Sequence, residues 1–326
     1  MPHVITLRPI HEDAIALLRD TPGVTVETVM DLSEASLAAK LPTADALIVR
    51  TLRIDRPFLA HCPNLRILAR HGVGYDIVDV AALTERNIPL TITPEANAVS
   101  VAEHALMMML ACARRLTDFN ANLRAATPIW GAQPGLPTFD LQGKTVLVVG
   151  FGRIGTRVAK LCAAFGMNVL VRDPNVAKGS IRGLGFTPVD DAAEAAGQAD
   201  IVTVHVPSGP ATRNMIDASF FARMKPGAVF VNTARGTIVD QRALEATLRA
   251  GHLAAAGIDV FEEEPVETPI SLLSVPNLIM TPHVAASTQE GLRRMAMDSA
   301  AAVLGCFAGT LDPDIVVNGE VLARRN

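Results

Sequence analysis

Charge of one sign is what this sequence lacks first. Its 29 lysines and arginines face 33 acids, for a net charge of −4 with the signs interspersed. No basic field is there to hold nucleic acid or an anionic membrane, so neither is expected as a partner. Long apolar runs are missing too, and nothing approaches the ~20 uninterrupted apolar residues of a membrane span. The opening "MPHVITLRPIHEDA" shows no charged, apolar and small-residue succession of a secretory signal. A cytoplasmic protein is the expectation.

Cysteine is scarce and scattered. Cys62, Cys112, Cys162 and Cys306 form no C-x-x-C pair, which argues against a disulfide framework and against a zinc site; no metal is expected. Small buried hydrophobes are their ordinary role. Cys162 lies in an apolar helical stretch and reads as packing, not as a catalytic thiol.

Apolar residues are plentiful. Of 326 residues, 49% are hydrophobic, enough for a sizeable core, and at roughly 100–200 residues per domain the length suggests two domains. Strand-like runs at 4–7, 24–28, 46–49 and 67–69 alternate with helical patterns at 11–19, 33–40 and 56–61, with Ser33 placed to cap the second. A second series follows "AATPIWGAQPGLPTFDLQGK", with strands at 145–149, 169–171, 201–204, 228–231, 254–258 and 278–280. Helices at 154–165 and 242–250 lie among them. Repeated β-α units imply parallel sheets with helices on both faces, an α/β fold of two doubly wound domains.

Between the two series runs "NAVSVAEHALMMMLACARR", a long helix that Ser100 is expected to cap, apolar almost all round and so buried on more than one side. Its three methionines read as packing. The segment beyond it, with Pro128, Trp130, Pro134 and Pro137, is a long irregular arm that must pack on something. Residues 98–140 are therefore expected to form a dimerisation helix and arm, making the protein a homodimer. After Met280 the chain returns to the first domain through "STQEGLRRMAMDSAAAVLGCFAG", a helix starting near Ser287 or Thr288. "DIVVNGE" then gives a last short strand or tail. The expected domains are 1–97 with 285–326, and 98–284, and the cleft between domains is the default ligand site.

"VLVVGFGRIGTRVAKLC" carries the clearest motif. Gly150, Gly152 and Gly155 form G-x-G-x-x-G after a strand and at the opening of a helix, where Arg153 and Ile154 stand. Such glycines permit a tight turn, backbone approach to a pyrophosphate and close helix-on-strand packing. The helix N-terminus offers amides and a positive dipole end to phosphates. Asp173 ends the next strand about 20 residues on, where a ribose-binding acid belongs. A carboxylate there repels a 2′-phosphate, which favours NAD over NADP. Arg172 should point to the opposite face.

Three later segments offer groups that could manage charge and a proton at the C-terminal ends of strands. "VFVNTARGTIVD" holds Arg235, "AAGIDVFEEEP" holds Asp259 and three glutamates, and "LIMTPHVAAST" holds His283. Alone, each has an ordinary reading as surface cation, solvated acid or structural histidine. Their concurrence with the glycine motif points to catalysis.

With these stretches in view, the chain resembles the D-isomer-specific 2-hydroxyacid dehydrogenases, of the phosphoglycerate dehydrogenase and glyoxylate/hydroxypyruvate reductase kind. The matching segments run in order: "ALIVRT", "ARHGVGYDIVDV", "ANAVSVAEHAL", "GFGRIG", "HVP", "MKPGAVFVNTARGTIVD", "AAGIDVFEEEP" and "TPHVAAST". The resemblance implies a Rossmann-type cofactor domain with a flavodoxin-like substrate domain, and hydride transfer between NAD and a D-2-hydroxy acid/2-oxo acid pair. It selects Glu264, the glutamate before the proline, as catalytic together with Arg235 and His283.

The roles follow from the chemistry. His283 exchanges the substrate's proton, Glu264 bonds the other ring nitrogen and favours the imidazolium, and Arg235 forks onto the carboxylate and carbonyl oxygen. The resemblance further implies substrate contacts at Arg50, Thr51, Val73, Gly74 and Asn97. For the cofactor it implies His205, Pro207, Thr212, Thr233, Asp259 (on the nicotinamide carboxamide) and Ala285. His71 beside the "GVG" loop, and Arg53, are left as structural or surface groups. The candidate pairs are 3-phosphoglycerate, glycerate/hydroxypyruvate and glycolate/glyoxylate with their oxidised or reduced partners. Serine feedback through an added regulatory domain is not expected. A non-catalytic NAD-responsive binding protein on the same scaffold is the alternative. Formate dehydrogenase is disfavoured, because that group is expected to carry glutamine where Glu264 stands.

Overall fold

Two all-parallel sheets organise the chain. The computed structural model describes residues 1–125, 131, 136–266 and 270–323. Two compact units result: Met1–Asn97 with Ser287–Asn326, and Ala98–Ala286. Pro128, Trp130 and Pro134 lie outside the described residues, so the expected arm is described only in part.

In the first unit β1 (His3–Leu7), β2 (Thr25–Val29), β3 (Ala46–Val49), β4 (Ile67–Arg70) and β5 (Leu90–Thr91) pair in the order β2-β1-β3-β4-β5. That is the flavodoxin-like order, with its switch point where the chain reverses direction across β1 and β3. β3 is buried at every position, as a strand covered on both faces must be. One face packs Ile5, Leu7, Leu47, Val49 and Leu68. The other carries Val4, Ile48 and Ile67 against Ala296, Ala300 and Val303 of the helix Gln289–Ala308. Thr288 caps that helix by accepting from the Gly291 amide, and Ser33 caps Glu34–Lys40.

In the second unit β6 (Thr145–Val149), β7 (Asn168–Arg172), β8 (Thr187–Pro188), β9 (Ile201–Val204), β10 (Ala228–Asn232), β11 (Leu253–Ile258) and β12 (Leu278–Met280) pair in the order β12-β11-β10-β9-β6-β7-β8. This is the Rossmann order extended by one strand. Phe221 and Phe230 meet edge to face at 5.2 Å on one side of the sheet. On the other side Met108 and Met109 are fully buried with Val146, Val148 and Val231.

Local readings needed correction. The helix after Asn97 begins at Ala98, so Ser100 is buried inside its first turn and is not its cap. That helix is not buried all round: Val99 and Met107 are 42% and 45% exposed, so only two of the three methionines pack in the core. β5 and β8, two residues each, are too short to leave a pattern. "DIVVNGE" begins as the turn Pro313–Ile315, and Val316 adds only an antiparallel bridge to Thr91. All four cysteines are free and buried, and burial pushes the thiols of Cys62, Cys112 and Cys162 up to about 11, 12 and 12. Among the described residues no helix is long and apolar enough to cross a membrane. Nor do any three His, Cys, Asp or Glu side chains there gather as a metal site.

Candidate active site

The glycine loop connects β6 to the helix Arg153–Ala164. Gly150 sits at φ +97°, and a Cβ there would stand 2.6 Å from the His205 carbonyl oxygen. A Cβ on Gly155 would lie 1.9 Å from the Gly150 oxygen, so strand and helix touch through bare backbone. Nothing lies within 4 Å of a Cβ placed on Gly152, and no side chain caps the helix that starts after it. An open backbone approach and an uncapped N-terminus are what a pyrophosphate requires. Asp173 directly follows β7. Its Oδ2 accepts from the Phe151 amide at 2.7 Å and its Oδ1 from the Asn175 amide at 2.8 Å, which ties the acid to the glycine loop. A cavity of about 380 Å³ beside it is lined by Asp173, Pro174, Val176, Ile181, Pro188 and Val189. Arg172 lines the same cavity. The fit to a dinucleotide is good.

Other expected cofactor residues cluster at the ends of neighbouring strands. The His205 ring bonds the buried Thr203 hydroxyl at 2.9 Å, and burial favours its neutral form. The Thr212 hydroxyl donates to the Pro207 carbonyl at 2.7 Å. The Thr233 hydroxyl is buried without a hydrogen-bond partner. Arg153 and Ile154 open the glycine helix.

Arg235, Glu264 and His283 come from three loops that follow β10, β11 and β12. Asn232, buried at the end of β10, staples the first loop: its Oδ1 accepts from the Ala234 amide and its Nδ2 donates to the Arg235 carbonyl, both at 2.9 Å. The Arg235 guanidinium donates to the Ala234 carbonyl at 2.7 Å. Gly236 then lies against the second loop so closely that a Cβ would stand 1.9 Å from the Phe261 carbonyl carbon.

Glu264 Oε1 accepts from the Phe261 amide at 2.9 Å, and Oε2 accepts a hydrogen bond from His283 Nδ1–H at 2.6 Å. Burial opposes ionisation of Glu264 and is the largest single influence on it. The bond and charge of His283, the Phe261 amide and the Arg235 guanidinium together outweigh burial, and the carboxyl is held below its ordinary value. With Nδ1 committed to Glu264, Nε2 is the ring atom left for substrate. His283 occupies the left-handed region at φ +54°, a conformation that costs a non-glycine residue about 1–2 kcal/mol unless its surroundings hold it. Glu262, Glu263 and Glu264 are all exposed, and what sets Glu264 apart is its bonds to Phe261 and His283.

Those surroundings include residues that sequence reasoning passed over. The Asp259 carboxylate is fully buried and accepts from the Thr281 hydroxyl (2.5 Å) and the amides of Val284 (2.9 Å) and Ala285 (2.8 Å). Ala285, expected at the cofactor, thus has its amide committed to Asp259. Thr281 and Asn232 both stood inside quoted segments, but a single polar residue at a strand end gave no sign of its partner.

In the first unit the loop after β4 wraps a guanidinium. Arg70 donates to the carbonyls of Gly74 at 2.7 Å and His71 at 2.8 Å. Val73 and Gly74 are half-buried here, and Thr51 is exposed. Arg50 is half-buried and donates to the Pro9 carbonyl at 3.0 Å. The side-chain oxygens of Asn97 and Thr93, and Nε2 of His71, are buried without partners.

The model of the D-isomer specific 2-hydroxyacid dehydrogenase NAD-binding domain matches residues 106–285. The chain belongs to this family. It is 41% identical to the D-3-phosphoglycerate dehydrogenase of Mycobacterium leprae, over 99% of this chain and 60% of that protein. To the Methanocaldococcus jannaschii D-3-phosphoglycerate dehydrogenase it is 38% identical, over 97% of this chain and 59% of that one. The chain therefore spans about 60% of the length of these curated relatives. Among solved structures, the TT0316 protein of Thermus thermophilus superimposes with a TM-score of 0.88 at 33% identity, covering 97% of this chain and 99% of that one. The Aquifex aeolicus D-lactate dehydrogenase, solved with NAD and lactic acid, gives 0.86 at 27% identity, covering 97% and 99%. The Ala98–Ala286 unit is thus an NAD-binding domain of this dehydrogenase family.

Proposed function

We propose that the chain is an NAD-dependent D-2-hydroxyacid dehydrogenase, interconverting a 2-hydroxy acid and its 2-oxo acid. The observation that carries the proposal is the 2.6 Å bond between His283 Nδ1 and Glu264 Oε2, with the Arg235 loop packed on the Glu264 loop. Bound NADH supplies the hydride. His283, protonated and held by Glu264, gives its Nε2 proton to the carbonyl oxygen; in the oxidative direction the neutral ring takes it back. The Arg235 guanidinium polarises the carbonyl and fixes the acid's orientation.

For the cofactor we assign the pyrophosphate to the loop of Gly150, Gly152 and Gly155 with Arg153 and Ile154. The adenosine goes to the cavity at Asp173, whose carboxylate takes the ribose hydroxyls. His205, Pro207, Thr212, Thr233, Asp259 and Ala285 complete the assignment. The substrate carboxylate is assigned to the amides of Val73 and Gly74, with Arg50, Thr51 and Asn97 beside them. The curated relatives make 3-phosphoglycerate the first substrate to try. A homodimer is part of the proposal: Met107, Leu116 and Leu123 expose 45%, 60% and 65% of their surface on two consecutive helices, and sedimentation reads that mass directly.

The test is NADH consumption with glyoxylate, hydroxypyruvate, phosphohydroxypyruvate and larger 2-oxo acids. Turnover abolished by His283→Asn is expected. No turnover with any of them, alongside tight NADH binding, would establish a binding protein instead.

A further inference from the structure

Behind His283 runs a chain of polar groups that ends on the helix Ala98–Ala113. His104, whose side chain is only 14% exposed, sets Nε2 at 3.0 Å from the Thr281 hydroxyl and 3.8 Å from Asp259 Oδ1. Thr281 in turn lies 2.5 Å from Asp259 Oδ1. Asp259 receives the amides of Val284 and Ala285 on its carboxylate, and its own carbonyl receives the His283 amide at 2.7 Å. Every backbone amide from 283 to 285 therefore ends on Asp259.

Proton accounting fixes the direction of the chain. Thr281 has one hydroxyl proton, and an ionised Asp259 can only accept. The proton goes to Asp259, which leaves the Thr281 oxygen as an acceptor, and the His104 Nε2–H must donate to it. Without that donor the Thr281 hydroxyl is free to rotate and Asp259 loses a fixed partner. The three backbone amides alone would then hold a loop whose first residue, His283, is at φ +54°.

We propose that His104 and Thr281 are positioning residues: through Asp259 they hold the 283–285 loop so that the His283 ring keeps its bond to Glu264. This rests on the dehydrogenase reading for its kinetic consequence, but the ring geometry can be read without turnover. It also gives Asp259 a task apart from the cofactor.

The experiment pairs a deleting and a conserving substitution at each position: Thr281→Val with Thr281→Ser, and His104→Leu with His104→Gln, whose amide can still donate. The first readout is the far-downfield proton resonance of a short His Nδ1–H···carboxylate bond, assigned by its disappearance in His283→Asn. It is expected in wild type, lost in Thr281→Val and His104→Leu, and retained in Thr281→Ser and His104→Gln. The second readout is kinetic: the two deleting variants should lose about 10-fold or more in kcat, and the two conserving variants should not. Melting temperature is followed in parallel, and the His104 pair decides the matter if Thr281→Val folds poorly. Retention of the resonance in both deleting variants, or its loss in all four, overturns the proposal. Absence of turnover in wild type with the expected resonance pattern would sink the dehydrogenase reading and leave the positioning chain standing.

Discussion

Gly236 and Phe261 touch backbone to backbone. A Cβ on Gly236 would stand 1.9 Å from the Phe261 carbonyl carbon, 2.0 Å from its oxygen and 2.4 Å from the Glu262 amide nitrogen. All three obstacles are main chain, so no side chain can swing aside. Gly236→Ala must push the Arg235 loop away from the Glu264 loop. Misplacement of a catalytic group by about 1 Å costs roughly 100-fold, and kcat/KM for 2-oxo acid reduction should fall by at least that much. Steady-state kinetics beside a melting curve check it; a folded variant with wild-type kinetics would show that the two loops need not meet.

Glu264→Gln keeps a group able to accept the Nδ1 proton but removes the charge. In wild type the carboxyl is held below its ordinary value, so it stays ionised through the neutral range and sets a negative charge on the His283 Nδ1–H. With a neutral amide the charge that faces the donated proton is gone. A hydrogen bond to a charged group contributes about 1.5–3 kcal/mol, so kcat/KM for 2-oxo acid reduction should fall roughly 10- to 100-fold. The measurement is kcat/KM for both proteins, and equal values would remove Glu264 from the proton's path.

How the sequence announced this fold differs from how it announced the site. Strands such as Ala46–Val49 and Ile201–Val204 are buried at every position, and continuous β-branched and aliphatic runs advertise that directly. The glycine motif was legible because its fixed spacing serves two close backbone contacts, at Gly150 and Gly155, and one open approach, at Gly152. Glu264 was not separable from Glu262 and Glu263 by any property of the residues. Only the family resemblance singled it out, and in space only Glu264 turns onto His283. His104 was illegible for another reason: it pairs with Thr281 across 177 positions, and nothing local distinguishes it from an ordinary helix histidine. Ser100 misled because capping is a property of where a helix starts, and the helix started two residues earlier.

Asp173 should decide between the two nicotinamide cofactors. The surrounding cavity already holds Arg172 and Lys178, and the Lys178 ammonium, with smaller help from Arg172 and Arg182, holds the Asp190 carboxyl below its ordinary value. The site is thus acid at one point and basic around it. Asp173→Ala removes both the acceptor for ribose hydroxyls and the repulsion toward a 2′-phosphate. Hydrogen bonds to a charged group contribute about 1.5–3 kcal/mol, so kcat/KM for NADH should fall roughly 10- to 100-fold. The same parameter for NADPH should hold or rise. An unchanged NADH/NADPH ratio in the variant would place cofactor selection elsewhere.

His71 makes acid stability the most direct test of the first unit's interior. The residue is 5% exposed, and burial, with help from the charge on Arg50, carries its pKa from 6.5 down to about 4. Folded protein therefore keeps the ring neutral at pH values where the unfolded chain protonates it. Stability from this source is complete above pH 6.5, falls as the pH drops, and is gone near pH 4. A displacement of that size corresponds to at most about 3 kcal/mol. His71→Leu removes the titration and also the buried Nε2 that has no partner, so at neutral pH the variant should lose little. Urea unfolding of both proteins at pH 7 and pH 5 gives the comparison. The loss of stability between these pH values should be smaller in the variant than in wild type. Equal losses would mean that the ring is reached by solvent and protonates in the folded state as readily as in the unfolded one.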